Sequence, residues 1–187
     1  MTRWKPDAVG RLIEAALVLF DQQGYDNTTV ADIAARAGLT RRTFFRYFPD
    51  KREVLFSGSE RLEQVWLDAV TAAPEGSGPM AAVEAGLDAV ASFFAERHAF
   101  ARIRAGVVAA NPELRERELI KLEKLTAAIA SALEARGVSA ATAALAAETG
   151  VRIFHLAFGE WVAQDDPAAL RRLMDRSLGE LRRLLAG

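Results

Sequence analysis

The chain has no cysteine and only two histidines among its 187 residues. The first absence excludes disulfide frameworks, thiolate nucleophiles and Cys-ligated zinc, and the second leaves only His98 and His155 as imidazole ligands. No metal site and no cofactor are therefore expected. An enzyme would need a nucleophile–base pair or a metal cluster. His155 with Glu160 has no recognised ligand spacing, and Asp165-Asp166 reads as a helix end and a cap, so an enzyme is not expected either. Long apolar runs are also missing: no window reaches the roughly 18 residues of a membrane span. The first residues, with Asp7 soon after Lys5, lack a signal-peptide pattern. The expectation is a soluble, cytoplasmic protein with no membrane partner. What is present is a composition that is 51% hydrophobic and 26% charged, with a net charge of −1. A chain of this length buries roughly 70% of the surface its unfolded form exposes, which excludes wholesale disorder.

The near-neutral total hides a local excess. Between Arg36 and Arg52 stand six basic residues, Arg36, Arg41, Arg42, Arg46, Lys51 and Arg52, against one acid, Asp50. A basic stripe confined to one stretch of a balanced protein points to a face that binds a polyanion.

Periodicity is helical almost throughout, giving an all-α fold of about nine helices. Ile13, Ala16, Leu17 and Phe20 recur at i, i+3, i+4 and i+7, so residues 7–23 form an amphipathic helix that ends at Gly24. Thr29 with Asp32 has capping-box spacing and opens a short second helix closed by Gly38. Thr40 caps a third helix, Arg41–Tyr47, which Pro49 stops. Asp50 with Glu53 opens a longer helix carrying Val54, Leu55, Leu62, Val65, Trp66 and Ala69. The run Pro74–Pro79 alone has linker composition, and it is too short to separate independent domains. Beyond it, Asn111-Pro112, Ser139 and Asp166-Pro167 read as caps opening further helices.

Two short helices joined through Gly38 make a helix-turn-helix over Thr29–Tyr47. Ile33, Leu39, Phe44 and Phe48 fasten the pair to the first helix, and the third helix presents Arg41, Arg42, Thr43 and Arg46. Arginines near a helix N-terminus oppose the helix dipole, so this cluster asks for an anionic partner. Duplex DNA supplies one, because Arg reads guanine O6 and N7 bidentately and also neutralises phosphates.

The run from Thr29 through Ala34, Gly38, Thr40, Phe44-Phe45 and Tyr47-Phe48 to Lys51 resembles the DNA-binding signature of TetR-family transcriptional regulators, and the match extends over residues 7–56. The resemblance implies a homodimer that binds palindromic operator DNA and acts as a repressor, released by a small-molecule effector. It implies a DNA-binding domain over residues 1–52 and a helical ligand-binding and dimerisation domain over 53–187. Carried over residue by residue, Thr40, Arg41, Arg42, Thr43 and Arg46 sit where the family reads bases and nearby phosphates. Tyr47 and Lys51 fall at phosphate-contacting places, and Thr29 joins the DNA-facing set. Phe45 stands where most members carry a Tyr whose hydroxyl meets a phosphate, so that contact should be absent. The basic tail Thr2-Arg3-Trp4-Lys5 can lie along the minor groove or the backbone.

The remainder of the chain is rich in aromatics. Trp66, Phe93, Phe94, Phe154 and Phe158 can line an apolar pocket, with Arg102, Arg104 and His155 as its polar groups, although each is also explained as core or as a paired surface residue. The segment Arg104–Arg115 resembles the TetR subgroup associated with acyl-CoA-like ligands, which implies an acyl-CoA-like or other anionic amphiphile as effector. In the last two helices Phe158, Trp161, Leu170, Leu173, Met174, Leu178 and Leu181 form an apolar stripe expected to pair protomers in a four-helix interface. The alternative is a helical lipid or small-molecule carrier without DNA function, which leaves Arg41, Arg42 and Arg46 idle.

Overall fold

Caps and glycines set the element boundaries in the computed structural model, which describes residues 8–187. The tail Thr2–Lys5 lies outside the described residues. Ten helices and no strand occur among the described residues: α1 Ala8–Gln23, α2 Val30–Arg36, α3 Arg41–Tyr47, α4 Lys51–Phe56, α5 Ser59–Ala72, α6 Pro79–Phe94, α7 His98–Ala110, α8 Pro112–Ala135, α9 Ala140–Val162 and α10 Ala169–Ala186. The all-helical architecture agrees with the sequence pattern. The single helix expected from Asp50 through Ala69 comes instead as α4 and α5, interrupted at Ser57-Gly58, where the Ser57 hydroxyl donates back to the Val54 carbonyl at 3.0 Å.

Chain packing divides the described residues into two units. One comprises the residues up to Gly58 together with Ile103–Arg115, and the other comprises Ser59–Arg102 with Glu116–Gly187. The division suggested by sequence, after residue 52, thus differs from the packing units, and α7 and α8 each contribute residues to both.

In the first unit α1 buries Leu12, Ala15, Ala16, Leu17 and Phe20, one face of a 3.6-residue period, while Ile33, Phe44, Phe48 and Val54 are buried from the next three helices. Gly38 takes φ of 66°, which glycine adopts without a Cβ penalty. Its N–H donates to Ala35 O at 3.0 Å and the Leu39 N–H to Ala34 O at 2.8 Å, the two bonds of a Schellman ending that reverses the chain between α2 and α3.

The second unit is built on α5, α6, α8, α9 and α10. Trp66 and Val70, Val83 and Leu87, Ile129 and Leu133, Phe154 and Trp161, and Leu170 and Met174 are all buried in one cluster. Trp66 fits because Gly86 carries no side chain, where a Cβ would collide with the indole, and Gly150 likewise makes room for Val83. Ser139 caps α9 as expected, accepting from the Thr142 N–H at 3.4 Å. Two expected caps act differently. Asn111 Nδ2 donates to Val107 O at 2.6 Å, so its side chain closes α7 instead of opening α8. Asp166 accepts from the Ala168 N–H at 3.0 Å and pairs with Arg172 at 2.7 Å, and α10 begins only at Ala169.

Candidate nucleic-acid interface

The two-helix head is held by its caps. Thr29 Oγ1 accepts from the Asp32 N–H at 3.2 Å, and the Asp32 carboxylate accepts from the Thr29 N–H at 2.9 Å and hydroxyl at 2.6 Å, completing the capping box. The Thr29 hydroxyl, then its backbone N–H, hold the Asp32 carboxyl below the usual range. Thr40 repeats the device for α3, accepting from the Thr43 N–H at 3.1 Å, with the two hydroxyls 3.0 Å apart. With Phe44 and Phe48 buried beneath it, α3 has its outward face fixed.

That face carries Arg41, Arg42, Phe45, Arg46 and Tyr47, all exposed, with Thr43 half-buried. Arg41 and Arg42 make no hydrogen bond, ion pair or ring contact among the described residues. Arg46 donates to the Tyr47 hydroxyl at 2.8 Å and lies 4.7 Å from that ring's centroid, which leaves its remaining N–H groups free to point outward. Thr40, Arg42, Thr43, Phe45 and Arg46 line one open concavity of about 660 Å³. The arrangement is a rigid cationic ridge with an apolar ring in its middle, suited to a groove edged by phosphates and hydrogen-bond acceptors.

Two residues of the expected DNA-facing set have other work. Lys51 Nζ donates to the carbonyls of Tyr25 at 2.7 Å and Thr28 at 3.0 Å, reaches that of Asp26 at 3.4 Å, and stands 4.2 Å from the Tyr25 ring centroid. All three ammonium protons are thereby engaged in closing the turn between α1 and α2. A phosphate would have to compete with these bonds, so Lys51 is a latch in this structure. Burial beside it pushes the Tyr25 phenol up to about 12. Thr29 is exposed, but its hydroxyl is committed to the capping box. Beyond Lys51, Asp50 caps α4 through the N–H groups of Arg52 at 2.8 Å and Glu53 at 3.1 Å, and ties down the Arg52 guanidinium at 2.7 Å. Arg52 is thus withdrawn from the basic stripe.

The aromatic residues of the second unit pack on one another. Trp66 meets Phe154 edge-on at 5.7 Å, Phe94 stacks on Phe154 at 6.0 Å, and Phe158 lies 5.2 Å from Phe94 and 5.4 Å from Phe154. Phe93 contacts Phe94 at 5.1 Å and carries Arg97 over its face at 4.3 Å. Of the candidate polar groups of a pocket, Arg102 and Arg104 follow the alternative of paired residues: Arg102 pairs with Asp165, and Arg104 donates to Leu55 O at 2.7 Å while lying 5.0 Å from the Phe56 ring. His155 is half-buried without a hydrogen bond or ring contact among the described residues. The other imidazole, His98, hydrogen-bonds Trp161 O at 3.1 Å and packs on the Trp161 ring at 4.7 Å. Among the described residues no cluster of ligating side chains can hold a metal ion, and no helix is long and apolar enough to cross a membrane.

The apolar stripe expected between protomers is largely covered by the chain's own helices. Trp161, Leu170, Leu173, Met174 and Leu178 are buried within the chain itself, and Phe158 and Leu181 pack against the same core. Trp161 Nε1 is satisfied by Pro167 O at 3.0 Å. The strong period of α10 serves its packing on α6 and α9. Another face of α9 carries exposed apolar residues: Leu145 is 70% exposed and Leu156 58%, in line with Glu148, Arg152 and Gly159 at helical spacing. One further residue escaped sequence reasoning. Arg136 donates to the carbonyls of Thr71, Ala73 and Pro74 at 2.9 to 3.1 Å, pinning the linker after α5; a lone Arg before Gly137 offers no pattern that would reveal this.

Residues 12–57 match the family described as bacterial regulatory proteins, tetR family. The HTH-type transcriptional regulator TcmR of Streptomyces glaucescens is 39% identical over 80 residues, which cover 43% of this chain and 35% of that protein. The chain thus spans about a third of the length of the curated relatives it matches. Among solved structures, a regulator assigned to the same family from Syntrophomonas wolfei superposes with a TM-score of 0.70 at 18% identity, covering 97% of this chain and 96% of that one. The Bacillus subtilis regulator FadR, solved with stearoyl-CoA, gives 0.63 at 21% identity over 91% and 95%. At these identities the likeness is one of fold.

Proposed function

We propose that this chain, whose residues 12–57 match the tetR family of bacterial regulatory proteins, is a transcriptional regulator of that family that binds a palindromic operator with α3 in the major groove. The observation that carries this reading is the pair Arg41 and Arg42, exposed and without a partner among the described residues, on a helix capped by Thr40 and seated by the buried Phe44 and Phe48. A helix of seven residues addresses too few base pairs to be specific alone. We therefore take the working form to be a homodimer, whose two heads would meet successive major grooves about 34–36 Å apart or a multiple of that. The exposed stripe of Leu145, Arg152, Leu156 and Gly159 on α9 supports an assembly surface there. Repression, and its release by an effector, complete the proposal. For the effector an acyl-CoA-like amphiphile is the first compound to test: the aromatic cluster suits an acyl chain, and FadR structures of the same fold hold lauroyl-CoA and stearoyl-CoA. Because Arg102 and Arg104 already have partners, the anionic head would need other cations or would displace these bonds.

The test is selection of bound duplexes from a randomised library by the full chain, followed by sizing of the complex. Enrichment of an inverted repeat bound by two chains supports the reading. No enrichment over unselected duplex would remove it and favour the carrier alternative.

A further inference from the structure

We infer that Phe45 reads a thymine methyl group, so that each half-site this chain recognises carries a thymine beside the base pair addressed by Arg42. The inference rests on the DNA-binding reading above and deepens it by naming part of the sequence that is read.

Helix geometry forces the ring outward. With Phe44 and Phe48 seated in the core of the first unit, residue 45 lies about 100° further around α3 from residue 44 and cannot join them. Phe45 remains 49% exposed, sheltered on one side by the edge of Phe44 at 5.5 Å, whereas Phe20, Phe44, Phe48, Phe56 and Phe154 are all buried. An exposed phenyl is unremarkable by itself. Its surroundings are what carry the inference: it shares one concavity with Arg42, Thr43 and Arg46, in a stretch from Arg36 to Arg46 that holds four arginines and no acid.

A phenyl ring has no donor or acceptor, so it can neither hold a phosphate nor read a hydrogen-bonding edge. The apolar group that the major groove presents is the C5-methyl of thymine. Arg42 stands one helical turn before Phe45, at i and i+3, on the same face. Three residues advance the helix by about 4.5 Å, close to the spacing of roughly 3.4 Å between successive bases of a strand. Arg42 and Phe45 therefore address neighbouring base pairs, the Arg through guanine O6 and N7 and the ring through the methyl. Phe45 also separates two cations, so the methyl would be enclosed between arms that bind its neighbours.

The experiment uses the full chain and the duplex enriched from a randomised library. Each thymine of that duplex is replaced in turn by deoxyuridine, which removes the methyl and keeps every hydrogen-bonding atom. The expected result is one thymine per half-site at which the wild type loses about four-fold in affinity, the worth of one buried methyl-sized group. At that position Phe45→Ala should no longer distinguish thymine from deoxyuridine while still discriminating at the adjacent guanine, and Phe45→Leu should retain part of the preference. Far-ultraviolet circular dichroism checks that the variants fold. Equal wild-type affinity for every deoxyuridine duplex, as expected for a ring wedged between base steps, overturns the inference, and so does undiminished methyl discrimination by Phe45→Ala. A library that yields no enriched sequence defeats the DNA-binding reading and this inference together, whereas an enriched sequence indifferent to methyls defeats only the inference.

Discussion

Lys51 Nζ lies 2.7 Å from the carbonyl oxygen of Tyr25 and 4.2 Å from the centroid of its ring, so one side chain on α4 closes the turn that follows α1. Hydrogen bonds to a charged group are worth about 1.5–3 kcal/mol each before context, and Lys51 is only half-buried. Lys51→Met should lower unfolding stability by about 1–3 kcal/mol in a denaturant titration. DNA binding by the folded fraction should weaken modestly for every sequence, with its dependence on salt unchanged. A drop of about one in the salt slope with no loss of stability would instead assign the ammonium to a phosphate.

Arg42 is exposed and has no partner among the described residues, so it is available to a guanine edge. Arg42→Ala should cost roughly 1–3 kcal/mol on the selected site and flatten discrimination at one base pair. Arg46, already bonded to the Tyr47 hydroxyl, should behave as a backbone contact: Arg46→Ala should weaken selected and random duplexes to a similar degree. Equilibrium binding of both variants to both duplexes checks the difference.

The head of the protein is legible in its sequence because local rules decide it. Thr29 with Asp32, Gly38, Thr40 and the buried pair Phe44 and Phe48 act within a few residues of one another, and each does what its type and spacing require. What sequence could not supply were the long-range partners. Lys51 closes on Tyr25 across 26 residues, Arg102 on Asp165 across 63, and Arg136 on Thr71 across 65, and no periodic signal marks those meetings. The same limit applies to the stripe expected between protomers. An amphipathic pattern tells that α10 buries Leu173 and Met174, but not whether the cover comes from its own chain or from another.

That distinction gives opposite outcomes for two substitutions. Met174→Ala removes a fully buried side chain and should destabilise the fold by about 2–5 kcal/mol whatever the assembly state. Leu156→Glu changes an exposed residue, so it should leave the unfolding transition within about 0.5 kcal/mol after allowance for dimer linkage and should shift a dimer towards monomer. Sedimentation velocity combined with denaturant unfolding separates them. A Met174→Ala chain that is stable but monomeric would instead place the stripe between chains.

Asp50 links acid to the stability of the head. Burial acts to raise its carboxyl, but the Arg52 guanidinium and the N–H groups of Glu53 and Arg52 outweigh it and hold the group below its ordinary value. A depressed folded value means that the unfolded chain binds the proton more readily. The contribution is therefore present above the ordinary Asp pKa of about 4 and is lost as pH falls through the folded value. Asp50→Asn keeps an acceptor at the cap without the charge, so its stability should fall less steeply than the wild type over that acid range. Asp50→Ala should cost about 1 kcal/mol at neutral pH. Thermal unfolding between pH 3 and 7 checks both.

The central claim, that α3 binds duplex DNA through its arginines, is tested most directly by the salt dependence of affinity for the selected duplex, measured for the wild type and for the triple variant Arg41→Ala, Arg42→Ala, Arg46→Ala. A dimer that neutralises several phosphates should show log affinity falling steeply and linearly with log salt, with a slope of about −0.9 per phosphate contact, and the triple variant should have a much shallower slope and little preference for the selected sequence. A wild-type affinity that is flat with salt, or a triple variant indistinguishable from it, would contradict the account.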